Sequence, residues 1–379
     1  MNNHFSYWMA FAHARSFSNR RKIEFLIQSV HDKMTIEDAL TAVKKNDKLD
    51  FNFTDKEWEG LKAEVNKLPN YSFLYEELNE QGFELVNIFQ KGHYPQILKI
   101  NLKKSAPILL YIKGNRSLLD ENTVAIVGAR KSGKKSLSFT DNISKKMVRD
   151  GNVIVSGFAK GVDRKALDSA LKYKGKSIIV LPQGILTYTT KKYYEHIVEG
   201  DVLLLSTYHP KAPWSVGLAM DRNKTIYGLS KMIYVAESND KGGTWEGVKN
   251  GLKRDRTIYI RLPDGKEKNA NKKLIELGAI PVDMDGNVVE EKVGAIAEEE
   301  VVYKSSFNDI IVDLSRLIES RNGKPMTISE IKSALDLEDM SAKEITSIIL
   351  ESGKFSKGKR GRLNTFTLKK YVGEQTTLF

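Results

Sequence analysis

The sequence of 379 residues contains no cysteine. That absence excludes a disulfide scaffold, thiol catalysis, Cys-ligated zinc and iron–sulfur clusters, and it suits a reducing cytosol. No apolar run reaches the roughly 18 residues that a transmembrane helix requires. The N-terminal stretch MNNHFSYWMAFAHARSF has no basic region ahead of its apolar residues, so no secretory signal is expected. A cytoplasmic protein with no membrane partner is the expectation. The six histidines show no metal-ligand spacing, and neither a metal nor a cofactor is expected.

What is present in excess is positive charge. Sixty Lys and Arg stand against 48 Asp and Glu, a formal net charge of +12. Residues 124–262 alone carry +13, whereas 1–123 carry +1, 263–300 carry −5 and 301–379 carry +3. Charge concentrated in this way points to a polyanion, either nucleic acid or a nucleotide, although a merely solvated basic surface would also produce it.

The chain has the length of two or three domains. Residues 1–80 read as a helical module, with apolar residues at helical spacing in Phe25, Leu26, Ile27 and Val30 and again in Leu40, Ala42 and Val43. The next segment, 81–282, has its centre in 124–262. There, short apolar runs (Val124–Val127, Val153–Val155, Ser177–Leu181, Val202–Leu205, Met232–Ala236, Thr257–Ile260) alternate with amphipathic stretches. That alternation predicts a parallel sheet covered on both faces, a Rossmann-like α/β domain, whose ligands bind beyond the carboxyl ends of the strands. An acidic linker over 283–305 leads to 306–372. Three helical stretches and a basic hairpin in that last segment follow the order of a winged helix-turn-helix.

The loops after the strands hold the candidate binding residues. GARKSGKKS, Gly128 to Ser136, nearly fits a nucleotide phosphate loop. However, Lys135 stands where a magnesium-binding hydroxyl is required, which disfavours an ATPase. A phosphate-binding loop without hydrolysis remains, built on Gly128, Ala129, Arg130, Lys131 and Lys134. The second loop supplies Ser156, Gly157 and Lys160, and places Asp163 in the first turn of a helix, where it is either a ligand for nearby backbone N–H groups or a functional acid. Arg222, Asn223 and Lys224 are expected at a helix start, and Gly242, Gly243 and Thr244 form a further anion-accepting turn. Lys191 and Lys192 adjoin Tyr188, Tyr193 and Tyr194, candidates for base stacking, with core packing the expected role for at least one of these rings.

In order along the chain, these blocks resemble the DprA/Smf family. VAIVGAR (124–130) matches the family's VAIVGSR, IVSGFAKGVDRKALDSAL (154–171) its second glycine loop, and RNKTIYGLS (222–230) its RNRIIAGLS. GFELVNIFQKGHYPQIL (82–98) and APILLYIKGN (106–115) resemble the segment that precedes the fold. The resemblance implies a non-catalytic, dimeric protein that binds single-stranded DNA and helps load the RecA recombinase, with DNA phosphates on the residues above. Three features depart from the family: Leu167 replaces a histidine, KGGTWEG (241–247) replaces SGSLITA, and the loop after the third strand matches only loosely. KGGTWEG resembles nucleotide-processing relatives, so a nucleotide hydrolase or sensor in the same cleft is the alternative, with Glu237 or Glu246 as its acid. The terminal QTTLF resembles a peptide that docks on the replication sliding clamp, through Gln375, Leu378 and Phe379.

Overall fold

In the computed structural model, the described residues are 4–289, apart from 190 and 266, and 307–369, apart from 336, 338, 339, 353 and 362. The candidate clamp peptide (Gln375, Leu378, Phe379) and most of the acidic linker lie outside them. The chain forms two compact units, Met1–Lys292 and Val293–Phe379.

Five helices open the first unit: α1 (His4–His13), α2 (Asn19–His31), α3 (Ile36–Lys45), α4 (Asp55–Val65) and α5 (Leu68–Glu80). Thr35 and Thr54 start α3 and α4 through reciprocal capping boxes with Asp38 and Glu57. The Glu57 carboxylate also accepts two hydrogen bonds from Arg21 (3.0 and 3.1 Å), whose guanidinium lies 4.5 Å from the Phe51 ring centroid. Phe11, Phe17, Phe25, Phe51 and Phe53 pack around this pair with ring centroids 4.8–6.2 Å apart. A large aromatic payload thereby gives a small helical layer its core.

The sheet follows, through β1 (Glu84–Asn87), α6 (Gln96–Leu102), β2 (Leu109–Gly114), β3 (Thr123–Val127), α7 (Lys134–Arg149), β4 (Val153–Ser156), α8 (Val162–Lys172), β5 (Ser177–Val180), α9 (Tyr194–Glu199), β6 (Val202–Ser206), α10 (Val216–Leu229), β7 (Met232–Val235), α11 (Gly243–Leu252), β8 (Ile258–Arg261), α12 (Asn271–Glu276) and β9 (Ile280–Val282). Its nine strands run in the order β1-β2-β6-β5-β4-β3-β7-β8-β9. From β6 to β9 every pairing is parallel, and β1 and β2 add an antiparallel edge. The expected α/β sheet is present, and its buried strands read as continuous apolar runs because helices cover both faces. Along β3, Val124 and Ile126 pack on one side with Phe139 and Ile143 of α7, while Ala125 and Val127 join the core on the other side. The chain builds outward from β3 to β6, then returns to place β7 on the other flank of β3. This reversal opens a crevice at the carboxyl ends of β3 and β7, the position where such sheets bind ligands.

Two expectations need correction. The sheet extends beyond the runs seen in 124–260, through β1, β2 and β9. Arg222, Asn223 and Lys224 are not at a helix start: Ser215 caps α10 two turns earlier by accepting from the Leu218 N–H (3.2 Å), so they lie in the middle of the helix.

The second unit contains α13 (Phe307–Ser320), β10 (Met326–Thr327), α14 (Ile328–Ala334), α15 (Ala342–Glu351), β11 (Phe355–Arg360) and β12 (Leu363–Leu368). Its three strands form an antiparallel sheet in the order β10-β12-β11. Leu314, Ile318, Ile331, Ile345, Ile349, Phe355 and Phe366 make a core of its own.

Candidate nucleic-acid interface

The crevice is framed by the loops that leave β3, β4 and β7, and the chain's own carboxylates hold those loops together. Asp163, at the start of α8, is buried and accepts backbone N–H bonds from Ala159 and Gly128. It thereby fastens the β3 loop to the β4 loop. Burial pushes its carboxyl pKa up, against the opposing pull of Arg222 and of the two N–H donors. Arg222 is itself only 3% exposed. Its Nη1 donates to the Val180 carbonyl at 3.0 Å, and its Nη2 stands 3.9 Å from the Asp163 carboxylate. Burial pulls the guanidinium pKa down, and Asp163 partly restores it.

The loop from Gly128 to Ser136 is occupied in a similar way. The Ala129 N–H donates to the Glu237 carbonyl (2.8 Å). The Glu237 carboxylate accepts from the Gly133 N–H (3.0 Å) and from the Ser136 hydroxyl (2.6 Å). A carboxylate at the start of α7 suits the helix dipole and takes the Gly133 N–H. Arg261, fully buried, donates to Ser136 Oγ at 3.1 Å and pairs with Glu267, which closes the network from behind. The Gly128, Ala129 and Gly133 amides of this loop are therefore spent within the chain.

Several expected contacts change accordingly. Gly128 and Ala129 donate their N–H groups inward. Ser156 is buried and its hydroxyl donates to the Ile126 carbonyl (2.9 Å). Gly157 is the floor on which Arg222 lies, and neither residue reaches the surface as a phosphate ligand. Tyr193 is 2% exposed, with its hydroxyl on Asp168 (2.8 Å), so it packs in the core and stacks on no base. Tyr188 is half-buried, edge-on to Phe158 at 5.3 Å. Lys192 pairs with Asp168 (3.0 Å) and Lys224 with Asp221 (2.6 Å).

The exposed cations lie around the rim. Arg130, Lys131, Lys134, Lys160 and Lys191 are exposed and form no ion pair among the described residues. Arg130 lies 5.7 Å from the ring centroid of Trp214, an indole 47% exposed on the loop after β6. Trp214 is the functional candidate that reading by motif missed, because it belongs to no glycine block; its signal was a tryptophan beside Pro213 in the loop TYHPKAPWS (207–215). At α11 no side chain caps the turn of Gly242, Gly243 and Thr244. Gly242 has a φ of +98°, and a β-carbon on Gly243 would stand 2.8 Å from the amide nitrogen of Asn223.

The two acids of the alternative differ in placement. Glu237 is committed to α7, whereas Glu246 is solvated on α11, 3.8 Å from Lys249. Apart from the crevice, α9 brings His196, Glu199 and Asp201 together, one ligand atom of each lying within 4.8 Å of the others, which histidine spacing alone did not reveal.

The model of the family described as DNA recombination-mediator protein A matches residues 85–292. The DNA processing protein DprA of Streptococcus pneumoniae is 32% identical over 157 residues, 41% of this chain and 55% of that protein. DprA of Bacillus subtilis is 29% identical over 197 residues, 51% of this chain and 64% of its own length. The chain thus spans 55% to 64% of these relatives. The X-ray structure of the S. pneumoniae protein shares the fold, with a TM-score of 0.60 and 23% identity, over 74% of this chain and 95% of that one. No described helix is long and apolar enough to cross a membrane. Since the family model covers more than half of its residues, the chain belongs to the DNA recombination-mediator protein A family, DprA/Smf.

Proposed function

We propose that the protein binds single-stranded DNA across the carboxyl ends of β3, β4 and β7 and acts as a non-catalytic mediator that helps load the RecA recombinase. One observation carries the reading: rim cations without an ion pair among the described residues (Arg130, Lys131, Lys134, Lys160, Lys191) surround loops in which Asp163 already holds the Gly128 and Ala159 amides and Glu237 that of Gly133. A rim of this kind suits a backbone of successive phosphates better than the single buried phosphate group of a free nucleotide. The Trp214 indole beside Arg130 supplies an exposed face for a base, and stacking plus cationic tracking is how single strands are held. Of the two acids of the nucleotide-hydrolase alternative, Glu237 is engaged at the start of α7, so turnover of free nucleotides abolished by Glu246→Ala is the result that favours that alternative.

Gel-shift of a labelled oligothymidylate and of a duplex of equal length, at two salt concentrations, tests the reading. Preferential single-strand binding that weakens steeply with salt is expected; equal retention of duplex, or a flat salt response, overturns it. Recombinase loading is tested by the rate of RecA filament nucleation with and without the protein.

Three further parts of the proposal have separate tests. The protein acts as a homodimer in the cytoplasm, checked by its mass in solution. The second unit serves as a winged helix that adds a DNA or protein contact, checked by deleting residues 293–379. Gln375, Leu378 and Phe379 dock on the sliding clamp, and unchanged clamp retention after their deletion would remove that role.

A further inference from the structure

A second cavity, of about 1190 Å³, lies between the N-terminal helices and the sheet, at the start of β2 and the segment that follows β6. It is walled by the end of α1, the start of α2, parts of α4 and α5, and the segment 207–215. Its size exceeds the roughly 300–1,000 Å³ typical of small-molecule sites.

Its chemistry is specific in two respects. Lys22 lines it while only 4% exposed, and Nζ donates to the Ala12 carbonyl at 2.6 Å. No carboxylate among the described residues pairs with this ammonium, which has three N–H donors to place. Burial draws its pKa down to about 8, against the opposing pull of the Glu64 carboxylate. The other lining cations are Lys67 and Lys211, paired with Glu64 and Glu77, and Arg15, which is exposed and has no ion pair among the described residues. Lys22 and Arg15 thus bring positive charge to one cavity with no carboxylate within ion-pair distance of either among the described residues, Glu64 acting on Lys22 only through space. An aromatic stack meets them. His13 lies parallel to Tyr111 and Tyr71, at interplanar angles of 11° and 24°, and His209 stands edge-on to His13 with centroids 5.0 Å apart.

An anion that carries a flat ring complements both features. We propose that this cavity binds one nucleoside monophosphate, free or as the phosphorylated end of a DNA strand, with the phosphate on Lys22 and Arg15 and the base against His209. The site is independent of the strand path over Arg130 and Lys160, so it stands or falls separately from the proposed function.

The test titrates thymidine monophosphate, and oligothymidylate with and without a 5′-phosphate, into the full chain by calorimetry. Wild type is compared with Lys22→Met, Arg15→Ala and His209→Ala, each checked for an unchanged melting temperature. Saturable binding of the monophosphate, weakened at least tenfold by Arg15→Ala and Lys22→Met, supports a free ligand. A several-fold gain from the 5′-phosphate that vanishes in the same variants supports a strand end. Neither effect in wild type, or equal binding by variants that fold normally, overturns the site. Arg15 is exposed, so its variant keeps the test decisive even if Lys22→Met fails to fold. Binding of the unphosphorylated oligonucleotide in the same titrations reports separately on the proposed function.

Discussion

The guanidinium of Arg222 occupies the space where residue 157 would carry a β-carbon: placed on Gly157, that carbon would stand 1.4 Å from Nη1. Only glycine admits this packing, and the packing positions Arg222 against the Val180 carbonyl and Asp163. Gly157→Ala therefore ejects a buried cation from its partners instead of merely crowding it. A loss of about 1–3 kcal/mol in unfolding free energy is expected, as for overpacking of a filled interior, measured by urea denaturation. A variant as stable as wild type would show that Arg222 has another resting place.

Asp163 carries a larger share. Its removal leaves the Gly128 and Ala159 amides without an acceptor and Arg222 buried without a counter-charge. Asp163→Ala should cost about 3–5 kcal/mol, the usual penalty for breaking a buried pair from one side. Asp163→Asn can still accept hydrogen bonds and should cost less. The order of the two variants in denaturant, Ala below Asn, is the measurement; equal stability would mean that the amides find other acceptors.

The sheet was legible because its strands are buried on both faces, and runs such as Val124–Val127 and Val202–Leu205 announce that burial by composition alone. β1 and β2 escaped because they pair antiparallel at an edge, in a stretch identified by its resemblance and not by its periodicity. The site was legible at the level of loops but not of side chains. Arg222 has the residue type of a phosphate ligand, yet its role depends on Gly157 and Val180, which meet it only after folding. The spacing of 104 residues between Gly133 and Glu237 likewise hid the fact that one loop already holds an anion. Sequence shows where anion-accepting amides occur, and tertiary contact decides which of them remain free.

Glu237 is the anion that this loop holds, and its removal should improve binding of DNA. Glu237→Ala frees the Gly133 N–H and the start of α7, and it takes a negative charge from the rim. Affinity for oligothymidylate at low salt should rise several-fold, and the salt dependence should steepen by about 0.7 if one further phosphate is engaged. Fluorescence anisotropy over a salt series measures both. A fall in affinity with unchanged stability would show that Glu237 positions the loop for the strand instead of competing with it.

The proposed strand path puts Arg130 and Trp214, 5.7 Å apart, on one stretch of DNA. Arg130→Ala should lower the salt slope by about 0.7, the signature of one lost phosphate contact on single strands. Trp214→Ala should weaken binding by about 1–3 kcal/mol with little change in slope, since stacking releases no counterions. Quenching of indole fluorescence on titration with oligonucleotide, lost in Trp214→Ala, would place a base on that ring. Equal slopes in wild type and Arg130→Ala would remove Arg130 from the strand path.

Acid should destabilise the protein before its carboxylates titrate. Burial holds the His13 pKa well below 6.5, with the neighbouring His209, Lys22 and Arg15 acting in the same direction, and burial also lowers that of His209. Both rings are neutral in the fold and gain protons more readily once unfolded. The unfolded chain therefore binds more protons below pH 6.5, so the stability present above that value is lost as pH falls through it. Each such histidine removes up to about 1.4 kcal/mol per pH unit. The melting temperature should drop between pH 7.5 and pH 5.5, a range above the ordinary carboxylate values. In His13→Phe the starting temperature should be lower, because Nε2 loses its 2.8 Å hydrogen bond with the Tyr111 hydroxyl, yet the fall with acid should be shallower. An acid response as steep as that of wild type would assign the sensitivity to groups outside this cluster.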